Sequence, residues 1–187
     1  MTVLDQIFSY VCRSPNIWAP GGEALPFCQR CTGLYVGCLL ALVLCAVFRP
    51  RPTWPVVSMH GLLLVLMVPF GYHLVPQNAV IRMLSGQLFA FGLVYYLALN
   101  AAGRFNLWKE NSGENVWGCV LWALAGITAL QVAVQAGGLL TGAVLSWLGL
   151  AGLLGYAALV IANLALLPPA ILGILRRQPA VSRSIAS

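Results

Sequence analysis

Long apolar runs, separated by short polar stretches, dominate this sequence. A helix needs about 20 apolar residues to cross the roughly 30 Å hydrocarbon core of a bilayer, and five runs reach that length. They predict five transmembrane spans, at residues 27–48, 54–75, 80–101, 116–138 and 141–175. The sequence therefore predicts an all-α integral membrane helical bundle that forms one transmembrane domain over residues 1–187.

The two ends of this pattern are less regular than its middle. Residues 1–26 contain several prolines and glycines, which predict a short irregular segment on the outer face. Within it, residues 5–12 have the apolar spacing of an interfacial helix, although strand and coil stay open. The fifth run is longer than one span requires, and Pro168-Pro169 are expected to break or kink it near the membrane surface.

The charge pattern indicates topology rather than a nucleic-acid partner. Only 7% of the residues are charged, against about 25% in a soluble domain, and the net charge of +6 comes from Lys and Arg scattered between apolar runs. Such residues gather after the first, third and fifth runs, and the side that carries them should be cytoplasmic. We therefore expect a multi-pass inner-membrane protein embedded in the lipid bilayer, with its N-terminus retained and outside and its C-terminus in the cytoplasm.

A Cys-x-x-Cys pair, Cys28 and Cys31, stands where the first apolar run begins. Its i, i+3 spacing puts both sulfurs on one face of a helix, and Cys12 supplies a third sulfur. Thiolates at this spacing, together with one or two further ligands, are typical of zinc sites. His73, near the same end of the second run, is the candidate fourth ligand, whereas His60 lies roughly 20 Å away along that helix and cannot share the site.

The same sulfurs fit two other kinds of site. In a redox site, the helix N-terminus and Arg30 would lower a thiol pKa. Cys28 and Cys31 would then be the redox pair, Cys12 the resolving thiol and a membrane quinone the electron acceptor. In a structural site, one disulfide from Cys12 to Cys28 or Cys31 would staple the outer loop. The sequence leaves these three readings open. Cysteines inside the apolar runs are better explained by helix packing: Cys38, Cys45 and Cys119.

Arg82 is a second candidate, because an arginine about one turn inside an apolar run either snorkels to the surface or binds a partner. With Asn78, it is expected to hold a cofactor or ligand such as an anion, a quinone carbonyl or a lipid headgroup, at the depth of the thiols. Several glycines predict close helix contacts, within the fold or with partner subunits: Gly33, Gly37, Gly149, Gly152 and Gly155.

The segment around the thiols resembles a family of small prokaryotic membrane proteins known only as a domain of unknown function. The family pattern is a Cys-His, a Pro-x-Cys-x-Arg-Cys-Thr-Gly-x-Tyr-x-Gly stretch and a later Asn-x-x-x-Arg-x-x-Thr/Ser-Gly segment; Cys12 and residues 26–37 and 78–86 correspond to these. Arg13 stands in place of the family's histidine, and Phe70-Gly71 in place of an acidic residue. If the family binds a metal through that histidine, this chain has lost one ligand unless His73 replaces it. The resemblance implies no particular activity.

The motifs of hydrolases and nucleotide enzymes are missing from the sequence, which has neither a P-loop nor a G-x-S-x-G, and its four acidic residues all fall outside the apolar runs. We therefore expect a non-catalytic accessory or assembly subunit of a larger membrane complex, in which a disulfide or a zinc ion at the thiols fixes the outer loop. The alternative is a membrane thiol-disulfide oxidoreductase coupled to quinone.

Overall fold

A computed structural model describes residues 3–12, 18–19, 24–50, 52–72, 74–105 and 116–177. These residues form helices and no strands. The helices are α1 (Val3–Val11), α2 (Gln29–Phe48), α3 (Trp54–Val65), α4 (Met67–Gly71), α5 (Ala79–Phe105), α6 (Val116–Ala136) and α7 (Leu139–Arg177). Five segments are long and apolar enough to cross a membrane: Gln29–Phe48, Trp54–Gly71, Ala79–Leu99, Trp117–Ala136 and Thr141–Leu166. The prediction of an all-α bundle with five spans is confirmed.

Prolines act differently in two of these spans. Pro69 lacks the N–H that would bond to the Val65 carbonyl, and its ring crowds that carbonyl. The second span accordingly breaks at Leu66 into α3 and α4, which the apolar run alone did not predict. In contrast, α7 stays helical through Pro168-Pro169, so of the expected break or kink the break does not occur. A transmembrane helix tolerates proline where local adjustments satisfy the freed carbonyls.

Helices α2 and α5 form the centre of the bundle and run parallel. Gly33 of α2 lies so close to α5 that a Cβ there would overlap the Met83 carbonyl oxygen, and a Cβ at Gly86 would overlap the Arg30 carbonyl oxygen. Further along, Gly37 meets the backbone of Gln87, so residue numbers rise together on both helices. Half of each of these two spans is buried inside the molecule.

The glycine face of α7 packs against α2 within the fold. A Cβ at Gly152 would overlap the Tyr35 carbonyl oxygen, and a Cβ at Gly155 would contact the Leu42 side chain. Gly149 lies on Phe27, just before α2. The residue numbers increase along both helices from one contact to the next, so α7 is parallel to α2 and α5.

The remaining spans run in the opposite direction and lie at the periphery. The Tyr96 hydroxyl of α5 donates a 2.7 Å hydrogen bond to the Val57 carbonyl of α3, and Gly126 of α6 packs on Leu40 of α2. A turn at Gly137 and Gly138, with φ values of 67° and 101°, connects α6 to α7. Only 11% of each of the Trp54–Gly71 and Trp117–Ala136 spans is buried inside the molecule, so most of their surface faces outward.

Buried side chains form two clusters, one toward each end of α2. The first contains Phe8, Leu25, Phe27, Tyr35, Val36, Met83, Leu130, Val134 and Leu145. The second contains Cys38, Ala41, Leu44, Ala90, Phe91 and Val94. Between α5 and α6, the Gln131 Nε2 donates a 3.4 Å hydrogen bond to the Oε1 of Gln87, which is fully buried. Such interhelical amide bonds contribute to helix association in membranes.

Candidate metal centre

Three aromatic side chains hold α1 against the start of α2. Phe8 is fully buried and packs edge-on against Phe27, with ring centroids 4.6 Å apart. The centroid of Tyr35 lies 5.6 Å from that of Phe8 and 6.1 Å from that of Phe27. Each such pair contributes about 0.5–1.5 kcal/mol beyond its buried area. Because Cys12 directly follows α1, this aromatic cluster places it beside the start of α2.

Cys28 and Cys31 occupy the N-cap and N3 positions of α2. Cys28 has the extended backbone of an N-cap residue, with φ −75° and ψ 168°. The Thr32 N–H and the Thr32 hydroxyl both bond to the Cys28 carbonyl, at 2.9 and 3.1 Å. The Cys28 N–H donates to the Cys12 sulfur at 3.5 Å. Local helix geometry and one hydrogen bond thus bring the three cysteines together.

The sulfur atoms of Cys12, Cys28 and Cys31 all lie within 4.8 Å of one another, and all three residues are half-buried. We call this group the thiol cluster. Tetrahedral zinc with Zn–S bonds of about 2.3 Å holds its sulfurs roughly 3.8 Å apart, so the cluster needs little contraction to bind a metal ion. The fourth candidate ligand, His73, lies outside the described residues.

The thiol of Cys28 is held in its ionised form. Hydrogen bonds from the Cys31 side chain, and also from the Cys31 backbone and the Cys12 side chain, outweigh desolvation and lower the pKa of Cys28 to about 5. The lowered pKa favours the thiolate of Cys28, the form of cysteine that binds metals and acts as a nucleophile. The sequence predicted an acidic thiol here, but attributed it partly to the guanidinium of Arg30.

Arg30 instead joins the start of α2 to the connection between α4 and α5. Its Nη2 donates to the Phe70 carbonyl at 3.1 Å and to the Gln77 Oε1 at 3.0 Å. Gln77 Nε2 donates to the same Phe70 carbonyl at 2.7 Å. This three-residue network was not predicted, because Phe70 takes part through its backbone and both partners of Arg30 lie 40 or more residues away in sequence.

Asn78 and Arg82, proposed from sequence as ligand-binding residues, have structural contacts at the start of α5. The Asn78 Oδ1 accepts a 2.8 Å hydrogen bond from the Ile81 N–H, which is an N-cap contact. Arg82 is half-buried, its N–H donates to the Asn78 carbonyl, and its carbonyl accepts a 2.8 Å bond from Ser85. Ligand binding by these two residues stays a prediction.

The aromatic cluster below the thiols was not recognised as part of the site from sequence. Phe8 belongs to the 5–12 stretch whose apolar spacing suits an interfacial helix, and Tyr35 is the tyrosine of the family motif in residues 26–37. Closeness to the cysteines in sequence could have indicated two of these aromatic residues. Phe27 immediately precedes Cys28, and Tyr35 follows Cys31 by one helical turn.

Comparison with known proteins extends the resemblance noted in the sequence. Residues 15–96 match a family model described as "Predicted membrane protein (DUF2085)". The matched stretch contains Cys28 and Cys31, and also Gly33 and Met83, where α2 and α5 meet. Neither the curated proteins nor the solved structures give a match. This protein is therefore similar to an uncharacterised membrane protein family over residues 15–96, which include the Cys-x-x-Cys and most of its packing partners.

Proposed function

We propose that this protein is a non-catalytic accessory or assembly subunit of a larger membrane complex, and that its thiol cluster binds a zinc-type ion as a structural staple. The observation that supports this most is the convergence of three sulfur atoms within 4.8 Å. A disulfide would use two of these sulfurs, whereas a metal ion uses all three. The ion would tie the end of α1, and the loop after it, to the start of α2.

The chemistry of the ligands favours a thiophilic metal. Thiolates are soft ligands that select zinc, copper(I) or iron–sulfur clusters over hard cations such as magnesium. Three cysteines with one histidine form a common structural zinc site. We propose His73 as the fourth ligand, because Phe70 and Gln77, which flank it in sequence, both bond to Arg30 between the two cysteines.

The outward faces of α3 and α6 support the role of a subunit. Both spans expose most of their surface, including large apolar side chains such as Trp117, Trp122 and Leu62. In a bilayer these faces meet lipid or other membrane proteins. The charge pattern supports an orientation in which the thiol cluster lies on the outer side of the inner membrane.

A second function, thiol-disulfide oxidoreductase, is favoured by one observation, the lowered pKa of Cys28. In that role a Cys28–Cys31 disulfide would take two electrons from a substrate dithiol and pass them to a quinone, which would also take up two protons. Cys12 would act as the resolving thiol. The same low pKa is expected of a zinc ligand, so it does not distinguish the two functions.

Metal analysis of the purified protein tests the proposal. We expect stoichiometric zinc in the parent protein and in the Cys45→Ser variant, because Cys45 packs against the second buried cluster, away from the thiol cluster. We expect Cys28→Ser and Cys31→Ser to lose the metal. His73→Ala should bind it more weakly, since removing one of four ligands leaves the three sulfurs.

The assembly role is tested by copurification from native membranes. A companion protein that is recovered with the parent, and lost with Cys28→Ser, would support the role of the staple in assembly. Metal-free protein whose thiol cluster shows a poised redox potential would contradict the staple and favour the oxidoreductase. If the protein is metal-free and has a disulfide that resists reduction, the structural role of the thiol cluster is kept, but the disulfide and not zinc provides it.

A further inference from the structure

A second candidate site lies toward the other end of the bundle, in a cavity between α3, α5 and α6. Its volume is about 160 Å³. The walls among the described residues are apolar except for His60 of α3 and Cys119 of α6. Met59 and Leu124, which line the cavity and are 38% and 56% exposed, place its opening toward the surrounding hydrocarbon between α3 and α6.

The imidazole of His60 is held in one orientation. Its Nδ1 lies 2.8 Å from the Val56 carbonyl, and because a carbonyl only accepts hydrogen bonds, Nδ1 carries the proton. In the neutral ring Nε2 is then an acceptor. Tyr95 stacks on one face of the ring, with centroids 3.9 Å apart and an angle of 19°. The Tyr96–Val57 hydrogen bond fixes α3 against α5 beside it.

An ionisable side chain inside a membrane span is costly to keep and marks a functional site by default. Here the histidine lines a cavity, has one acceptor nitrogen and stacks on an aromatic ring. These features suit a flat, uncharged ligand that donates one hydrogen bond. The volume limits its size, since an apolar cavity of about 150 Å³ binds one benzene ring.

We propose that this cavity binds a single aromatic ring that carries a hydroxyl group, the head of a membrane benzoquinol, with the hydroxyl donating to His60 Nε2. A bilayer supplies such a ring on a hydrocarbon tail, and the opening between Met59 and Leu124 lets the tail leave into lipid. Sterols and porphyrins have several fused or linked rings and exceed the volume. A bicyclic naphthoquinol is larger than the single ring that a cavity of this volume is known to bind, so we expect it to bind less tightly.

The proposal is independent of the thiol cluster. Along α5, Phe91 of the cavity follows Met83 of the thiol end by eight residues, or about 12 Å of helix rise. The ring site therefore has its own residues, and loss of metal at the cysteines neither supports nor contradicts it.

The test is nitrogen NMR on the full-length protein in micelles with labelled histidine. The chain has two histidines, so the His73→Gln variant leaves His60 as the single imidazole. We expect decyl-substituted benzoquinol to shift the Nε2 resonance of His60. Its dimethyl ether, which has no donor, should bind about tenfold more weakly, as loss of one hydrogen bond worth about 1.4 kcal/mol requires.

Two variants of α6 give a matched pair. Ala123 lines the cavity, and Ala123→Phe should abolish benzoquinol binding by filling it. Ala129 lines a separate groove between α2, α6 and α7, and Ala129→Phe should leave binding unchanged. The proposal is overturned if Ala123→Phe binds benzoquinol as the parent does, if the dimethyl ether binds equally well, or if naphthoquinol binds as tightly as benzoquinol.

Phenol separates the two sources of such a ring. Tighter binding of the tailed benzoquinol than of phenol supports a membrane lipid as the ligand. Equal binding would overturn that assignment in favour of a small phenol.

Discussion

Five of the six residues from Cys28 to Gly33 have a structural task. The cysteines contribute sulfur to one cluster, and Thr32 closes the first turn of α2 by bonding to the Cys28 carbonyl. Arg30 points to the α4–α5 connection, and Gly33 allows α5 to approach. One helical turn thus combines a candidate metal site with two interhelical contacts, because successive residues point in directions about 100° apart.

Gly33→Ala tests the close approach of α2 and α5. The added Cβ would overlap the Met83 carbonyl oxygen, and since this is backbone, the helices must separate. We expect a loss of about 1–3 kcal/mol in the free energy of unfolding, measured as lower thermal stability in micelles. Gly71→Ala is the control, because nothing lies within 4 Å of its added Cβ. Equal stability of the two variants would contradict the contact.

The reactivity of Cys28 should depend on pH in an unusual range. Its pKa is lowered to about 5, so the thiolate is present above pH 5 and is lost as the pH falls through that value. In metal-free protein, we expect the alkylation rate of Cys28, read by peptide mass spectrometry, to fall to half its plateau near pH 5. In denatured protein the midpoint should move to about 8.5. A midpoint above pH 8 in the folded protein would show that the neighbouring hydrogen bonds do not hold the thiolate.

At the residue scale, spacing in sequence predicted the cysteines but not their surroundings. Cys28 and Cys31 share a helix face by periodicity alone, and Cys12 was the remaining cysteine before the first span. Periodicity does not show which way Arg30 points relative to other helices, nor that Asn78 is used as an N-cap. The Arg30 contacts depend on how the α4–α5 connection packs on α2, which is tertiary information. The Asn78 contact is local, and an asparagine just before a helix is a signal that the sequence does contain.

At the element scale, the apolar runs predicted all five spans, because burial in hydrocarbon requires length and apolarity and little else. They did not predict the break at Leu66 or the continuity of α7 through Pro168-Pro169. The effect of a proline depends on whether neighbouring groups satisfy the carbonyl it frees. The sequence pattern does not contain those neighbours.

The connection between α4 and α5 should depend on Arg30. Arg30→Gln removes the charged donor to Phe70 and Gln77. Hydrogen bonds to charged groups contribute about 1.5–3 kcal/mol, so we expect the amides of Tyr72 and Leu74 to exchange with deuterium about tenfold faster or more. Arg49→Gln is the control.

Arg49 caps the opposite end of α2 and bonds locally to the Ala46 carbonyl, so its loss should not change the exchange of those two amides. Unchanged exchange in Arg30→Gln would mean that Gln77, which also bonds to Phe70, holds the connection without the arginine.

At the scale of the whole molecule, three spans run in one direction and two in the other, so the ends of the bundle differ. The thiol cluster lies at the end where α2, α5 and α7 begin. The distribution of Lys and Arg predicts that this end faces outward.

An impermeant maleimide should therefore label Cys12 in intact cells, once metal is removed and any disulfide is reduced. Cys119 lies at the start of α6 and lines the cavity toward the opposite end of the bundle. It should react only with a permeant reagent, or after the membrane is opened. If Cys12 is labelled only in inverted vesicles, the orientation is the opposite of the predicted one.

The parallel contact between α2 and α5 also has a consequence for synthesis. Gly33 and Met83 are 50 positions apart in the chain, and ribosomes add about 5–20 residues per second. For roughly 2.5–10 seconds, the first inserted helix has no partner for its glycine face. A nascent chain held at that stage exposes the glycine face of α2 to lipid, and we expect membrane proteases to cut it more readily than the completed chain.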